Sequence, residues 1–290
     1  MDTVSAWNFD VDRRSGSVAP TLTRPRERGR EGEGDGLLLR VRGISKTYGA
    51  HVGCRDVSFD LHPGEVLCLA GESGSGKTTV LNCLSGRLEP DSGTVEFGTR
   101  HEGLLDIWKL SEARRRLLAR TDLGFVHQNP RDGLRVAVSA GANVGERLMA
   151  VGARHYGGIR AAAVEWMQKV ELDDGRIDDS PLTFSGGMQQ RLQIARNLVS
   201  RPRLIFMDEP TASLDVSVQA RLLDLLRGLT RDLGLGAIIV THDLAVARLL
   251  AHRLMIMRAG CVIESGLTDQ VLDDPQHPYT QLLVSSVLQA

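Results

Sequence analysis

The chain has 290 residues, 42% of them hydrophobic and 24% charged, with a net charge of −1. That length supports one or two domains with an ample core, and the near-neutral balance argues against a broad nucleic-acid surface. No apolar run approaches the roughly 18 residues that span a bilayer and no apolar leader opens the chain, so a soluble, cytoplasmic protein is expected, without direct membrane insertion and without a nucleic-acid partner.

Residues 1–36 come first. Arg24-Pro25-Arg26-Glu27-Arg28-Gly29-Arg30-Glu31-Gly32-Glu33-Gly34 is charged, glycine-rich and almost free of apolar groups. Such a stretch cannot bury enough surface to offset its ordering entropy, and it reads as a disordered arm. A single domain is expected over residues 37–290, starting with an apolar strand at 37–41 and another near 57–61. Val66-Leu67-Cys68-Leu69-Ala70 is a continuous apolar run that predicts a buried strand. Gly71-Glu72-Ser73-Gly74-Ser75-Gly76-Lys77-Thr78 follows it, and an apolar-periodic helix opens at Thr79. Two glycines bracketing four residues, then Lys and Thr, between strand and helix, is the pattern of a phosphate-binding loop. Backbone N–H groups can curl around phosphate oxygens there, and the helix start adds a positive dipole end. Lys77 would reach the β- and γ-phosphates, and the Thr78 hydroxyl would ligate Mg²⁺.

Further along, a strand is expected at 94–97 and a helix between Ser111 and Arg120. Arg114, Arg115 and Arg116 would form a solvated or partner-facing side of it. Residues 131–181 read as a mostly helical subdomain, with helical periodicity at 143–149 and 159–170. Ser185-Gly186-Gly187 precedes an amphipathic helix carrying Leu192, Ile194, Ala195, Leu198 and Val199, and Ser185 is its expected cap. Leu204-Ile205-Phe206-Met207 ends in Asp208-Glu209. Carboxylates at the C-terminal edge of a parallel sheet are well placed to serve a ligand. Asp208 would hold Mg²⁺ through water, and Glu209 would orient and polarise the attacking water. A leucine-striped helix at 216–233 should pack on the sheet, with strands at 235–240 and 254–257 and a tail over 261–290. Cys54, Cys68, Cys83 and Cys261 have no C-x-x-C spacing and read as small buried residues in a reducing compartment.

Taken together and in this order, these segments resemble the ATP-binding cassette (ABC) ATPases. The resemblance covers roughly residues 37–290. Phe184-Ser185-Gly186-Gly187-Met188-Gln189-Gln190-Arg191 is similar to the family's signature loop, usually Leu-Ser-Gly-Gly-Gln, with Phe184 and Met188 as departures. The resemblance implies an α/β fold of the P-loop NTPase class: a mostly parallel core sheet, a small antiparallel β layer and a helical subdomain. It extends the ATP-binding set to Tyr48 stacked on adenine, Gly71, Glu72, Ser73, Gly74, Ser75, Gly76, Lys77, Thr78, Thr79 and Gln128. It makes Gln128 a Mg²⁺ ligand beside Thr78 and Asp208, and His242 a catalytic partner of Glu209. Ser185, Gly186, Gly187 and Gln189 would act in trans on a second cassette, and Ser213-Leu214-Asp215 would form the D-loop at the dimer interface. Because each motif occurs once, an ATP site would need two copies of the chain, or one copy and a related cassette.

Two subfamilies share the His277-Pro278-Tyr279-Thr280 tail: importer ATPases for oligopeptides or nickel, and the ATP-binding component of the carbon–phosphorus lyase system. Val126-His127-Gln128-Asn129-Pro130-Arg131-Asp132-Gly133-Leu134-Arg135, the stretch from Gly145 to Gly157, and the signature segment resemble the second. The importer ATPases usually continue past Pro-Tyr-Thr with a further region, whereas this chain ends about ten residues beyond it. The implied function is ATP hydrolysis coupled to a multi-subunit carbon–phosphorus lyase core, with a second ABC protein nearby; the alternative is an importer subunit.

Overall fold

A computed structural model describes residues 36–212 and 214–287. The expected arm, apart from Gly36, and Ser213 of the expected D-loop lie outside the described residues. β1 (Leu39–Tyr48) and β2 (His51–Leu61) form an antiparallel hairpin. β3 (Val66–Ala70) runs into the glycine-rich loop and α1 (Lys77–Leu84). β4 (Ser92–Gly98) and β5 (Leu104–Asp106) join the hairpin in a four-stranded antiparallel sheet of order β2-β1-β4-β5. α2 (Glu112–Thr121) leads to β6 (Leu123–Val126). The helical segment then comprises α3 (Pro130–Gly133), α4 (Ala140–Ala150) and α5 (Tyr156–Lys169), and α6 (Gly186–Leu198) follows. β7 (Leu204–Asp208), α7 (Val216–Leu233), β8 (Gly236–Thr241), α8 (Leu244–Leu250) and β9 (Arg253–Arg258) alternate. β10 (Cys261–Leu267), α9 (Thr268–Asp273) and α10 (Pro278–Val287) complete the described chain.

The larger sheet has the order β10-β9-β3-β8-β7-β6, and only β10 runs antiparallel to its neighbour. This is the expected α/β architecture, and its apolar runs have a direct cause. β3 and β8 are covered on both faces, so successive side chains enter different cores. Leu67 and Leu69 join Ile238 and Val240 in the core shared with the antiparallel sheet and α1. Ala237 and Ile239 face the core under α4–α8. Cys68 and Ala70 face a third core, under α8–α10. Each α-helix from α2 to α8 starts with a side-chain cap: Ser111, Asn129, Ser139, His155, Ser185, Asp215 and Asp243 each accept a first-turn amide hydrogen. Caps of this kind are worth about 1 kcal/mol each.

Residues 261–287 form more than the expected tail. β10 is an edge strand of the main sheet, and α9 and α10 cover the face formed by Cys68, Ala70, Leu254 and Ile256. The sequence hides this because β10 carries polar residues at an edge, where no continuous apolar run is required. At the opposite edge, β6 has a free side whose backbone groups need partners. Helix α6 supplies them. Asn197 accepts from Phe125 N and donates to Phe125 O, both at 3.0 Å, and Gln193 accepts from His127 N at 2.6 Å.

Candidate active site

Strand register brings the site together. Ala70 of β3 lies opposite Thr241 of β8, Val240 lies opposite Asp208 of β7, and Met207 lies opposite Val126 of β6. The loop after Ala70, the pair Asp208-Glu209, His242 and Gln128 therefore all leave one edge of the sheet. Lys77 is buried and donates to Gly71 O and Glu72 O, each at 2.8 Å. Burial pushes its ammonium below the usual lysine value. The Thr78 hydroxyl donates to Asp208 Oδ1 at 3.2 Å. Burial also raises the Asp208 carboxyl above its ordinary value. Gln128 Nε2 donates to Glu209 Oε2 at 3.1 Å, and His242 Nδ1 lies 3.1 Å from Glu209 Oε1. Glu209 itself sits at φ +42°, in the left-handed region, with its N–H donated to Val240 O. A non-glycine residue held there carries local strain of a kind that collects at functional sites.

The loop's shape depends on two glycines. Gly71 has φ +148° and Gly76 has φ +102°. A Cβ on the first would overlap Met257 O, and on the second Gly53 O. Gly76 also leaves α1 without a side-chain cap, so the first-turn amides have no side chain above them. Glu72, Ser73 and Gly74 are exposed, Ser75 is buried and Thr79 is half-buried. Tyr48 ends β1 beside Gly53 and Thr79, with 48% of its surface exposed.

The signature segment lies apart: among the described residues no hydrogen bond or ion pair joins Ser185, Gly186 or Gly187 to the glycine-rich loop or to Glu209. Ser185 Oγ accepts from Met188 N at 3.3 Å, leaving Ser185 and Gly186 exposed. Gly187 packs beside Leu214 and Val218, next to the start of α7, where Asp215 accepts from Val218 N at 3.0 Å. One expected residue turns the other way. Gln189 is 5% exposed and donates to Pro181 O and Phe184 O, both at 3.0 Å. Its side chain supports its own loop, because the helical turn points it inward onto those carbonyls. The two departures from the usual motif have local partners: Arg176 stacks 4.4 Å from the Phe184 ring centre and reaches Met188 Sδ at 3.8 Å.

Sequence patterns match the ABC transporter family over residues 54–212. The chain belongs to this family. This cassette is an ATP-hydrolysing one by that membership. It is 64% identical over 87% of its length, and 98% of the relative's, to PhnK of Escherichia coli strain K12, named as a phosphonates utilization ATP-binding protein. It is 35% identical over 83% of its length, and 73% of the relative's, to the dipeptide transport ATP-binding protein DppD of Bacillus subtilis strain 168. Among solved structures it matches a dimeric, post-hydrolysis form of the cassette MJ0796 bound to ADP and Pi, with a TM-score of 0.72 and 29% identity, covering 80% of this chain and 99% of that one. No helix among the described residues is long and apolar enough to cross a membrane.

Two residues next to the cassette's site escaped the sequence reading. Asp91 accepts from Lys46 Nζ and Thr47 N at 2.7 Å and from Thr47 Oγ1 at 2.8 Å, clamping the end of β1 that carries Tyr48. Those donors hold its carboxyl down to about 2, below the usual 3.8. A carboxyl lowered by folding contributes stability that is complete above pH 3.8 and lost as pH falls through about 2. Asp91→Asn should therefore flatten the acid limb of the unfolding curve in that window. An unchanged acid limb would show that the clamp is absent in solution. The second residue is Tyr279, whose hydroxyl accepts the Glu72 N–H at 3.3 Å from 207 positions away.

Proposed function

We propose that this cassette binds and hydrolyses MgATP as a dimer and is coupled to a soluble, multi-subunit carbon–phosphorus lyase core in phosphonate breakdown, in the cytoplasm. The observation that carries the reading is the gap between 64% identity to a phosphonates utilization protein and 35% to a peptide-transport ATPase, at similar coverage of this chain. The dimeric MJ0796 cassette supports the need for a second copy.

In this reading Tyr48 stacks on the adenine, and the amides of the loop from Gly71 to Thr79 cradle the phosphates with Lys77. The Thr78 hydroxyl, the Asp208 carboxylate and the Gln128 amide oxygen are hard oxygen donors that suit Mg²⁺, and the first two already lie 3.2 Å apart. A bound Mg²⁺ would neutralise charge that develops on the β- and γ-phosphate oxygens. Glu209 takes the water's proton, and His242 steadies Glu209 and the γ-phosphate. Gln128 and His242 flank the Glu209 carboxylate, each 3.1 Å from one of its oxygens, and so hold it at the edge of the sheet beside Asp208. Ser185, Gly186 and Gly187 of a second cassette would close over the γ-phosphate and exclude water.

In this reading the partner docks beside Gln128. A cavity of about 370 Å³ lies between α2, the helical segment and the strand end at His127. Arg87, Arg115 and Arg147 line it together with Glu112 and Asp132; Arg87 lies over the Phe125 ring, Arg115 over Trp108, and Arg147 donates to Ala119 O and Leu123 O. Burial lowers the Arg147 guanidinium to about 10. Burial desolvates Arg87 and Arg147, and with Arg115 beside them the lining carries more cations than carboxylates, which favours an acidic segment. Arg87 also touches His127 Nε2 at 3.2 Å, one residue before Gln128. The test is affinity capture of the tagged chain from phosphate-starved cells fed a phosphonate, with membrane and soluble fractions kept apart. The lyase core should appear in the soluble fraction and be lost with Arg115→Glu, while ATP binding stays unchanged. Recovery of permease subunits in the membrane fraction would overturn the reading in favour of an importer subunit, as the peptide-transport relatives would have it.

A further inference from the structure

The C-terminal segment reaches the back of the phosphate loop. Glu264 of β10 accepts Gln276 N at 2.8 Å and His277 N at 3.0 Å, and His277 Nδ1 accepts Tyr279 N at 3.1 Å. These bonds start α10 at a fixed place. Tyr279 then enters the core beside Cys68 and Ala70, only 8% exposed, with the Arg258 guanidinium 4.7 Å from its ring centre. Its hydroxyl ends at the Glu72 amide. Glu72 is no neutral position in the loop: its carbonyl accepts both Lys77 Nζ at 2.8 Å and Ser75 N at 3.2 Å. The turn between β9 and β10 supports the same loop, with Gly260 N donating to Ser75 O at 3.0 Å.

We infer that Tyr279 is a positioning residue for ATP binding: through its hydroxyl, the C-terminal strap holds the peptide that sets Lys77. The ring fills the core and the hydroxyl orients the loop, and one substitution separates the two roles. Tyr279→Phe keeps the ring and removes only the hydroxyl. The inference rests on the chain's membership of an ATP-hydrolysing family and is independent of what the cassette is coupled to.

The experiment compares Tyr279→Phe with Tyr279→Leu and with Leu282→Ala, an exposed position on the same helix. ATP affinity is titrated directly on the isolated full chain, hydrolysis is followed over ATP concentration, and hydrogen exchange is read at the Glu72 amide. The loss of one neutral hydrogen bond predicts about a three- to tenfold weaker ATP affinity in Tyr279→Phe. KM should rise in step, kcat at saturation should hold, and the Glu72 amide should exchange faster while melting stays near wild type. Leu282→Ala should match wild type in every reading. If Tyr279→Phe keeps wild-type affinity and Glu72 exchange while Tyr279→Leu melts early, Tyr279 is a core residue only and the inference fails. A fall in kcat with unchanged KM would also overturn it.

Discussion

Glu209→Gln should lower kcat by about 10²- to 10³-fold while leaving ATP affinity within about twofold of wild type. Glutamine is nearly isosteric and keeps one of the two oxygens: its carbonyl can still accept from Gln128 at the 3.1 Å separation, while its NH2 takes the place of the oxygen that faces His242 Nδ1 and can donate to a ring nitrogen there. The backbone at φ +42° and its bond to Val240 O are also unaffected by the side chain. What disappears is the carboxylate that can accept a proton from water. The variant should therefore trap ATP and accumulate a closed dimer, visible as a shift to twice the mass in ATP but not in ADP. Single-turnover and steady-state rates check this together. Steady-state turnover near wild type would remove Glu209 from the role of base and leave it as a partner of Gln128 and His242 only.

Gly76→Ala should cost more in stability than any other single methyl added to the phosphate loop, except one at Gly71. The residue has φ +102°, and the new Cβ would overlap the Gly53 carbonyl oxygen with Gly260 Cα 3.3 Å away. Both neighbours are backbone, fixed by β2 and by the β9–β10 turn, so neither can swing aside. Strain at such a φ costs of order 1–3 kcal/mol, and the clash adds to it. A loss of about 3 kcal/mol lowers the melting temperature of a domain this size by roughly 6–12 °C. ATP binding should fall as well, because the amides that start α1 must shift. Gly74→Ala is the control. It has φ +80° but open space at its Cβ, and should cost only about 1–2 kcal/mol. Equal melting shifts in the two variants would mean that backbone conformation alone, and not the approach of Gly53, dictates glycine at position 76.

The two expectations draw on different kinds of information. The glycine spacing, the apolar run before it and the periodic helix after it are all local, and local spacing decides backbone conformation. For that reason the loop, the cap at Ser185 and the leucine-striped α7 were legible from residue order. The pair Asp208-Glu209 was legible too, since carboxylates ending a fully apolar run have few other places to go. Gln189 was not, because whether a side chain on a helix's first turn faces out or in depends on the carbonyls of Pro181 and Phe184 beneath it.

What residue order by itself determined is a P-loop α/β cassette: which segments are buried strands, where the phosphate loop lies, and which polar residues end the strands. Tertiary structure alone decided which of those ends meet. The strand order β3-β8-β7-β6 is set by burial on both faces of strands far apart in the chain, and it alone brings Lys77, Asp208, Gln128 and His242 to one edge. The same holds for the edge strand β10 and the strap behind the loop. A hydroxyl 207 residues from its amide partner leaves no periodic trace, because that contact is fixed by how α10 covers Cys68 and Ala70 and not by the conformation of any one segment.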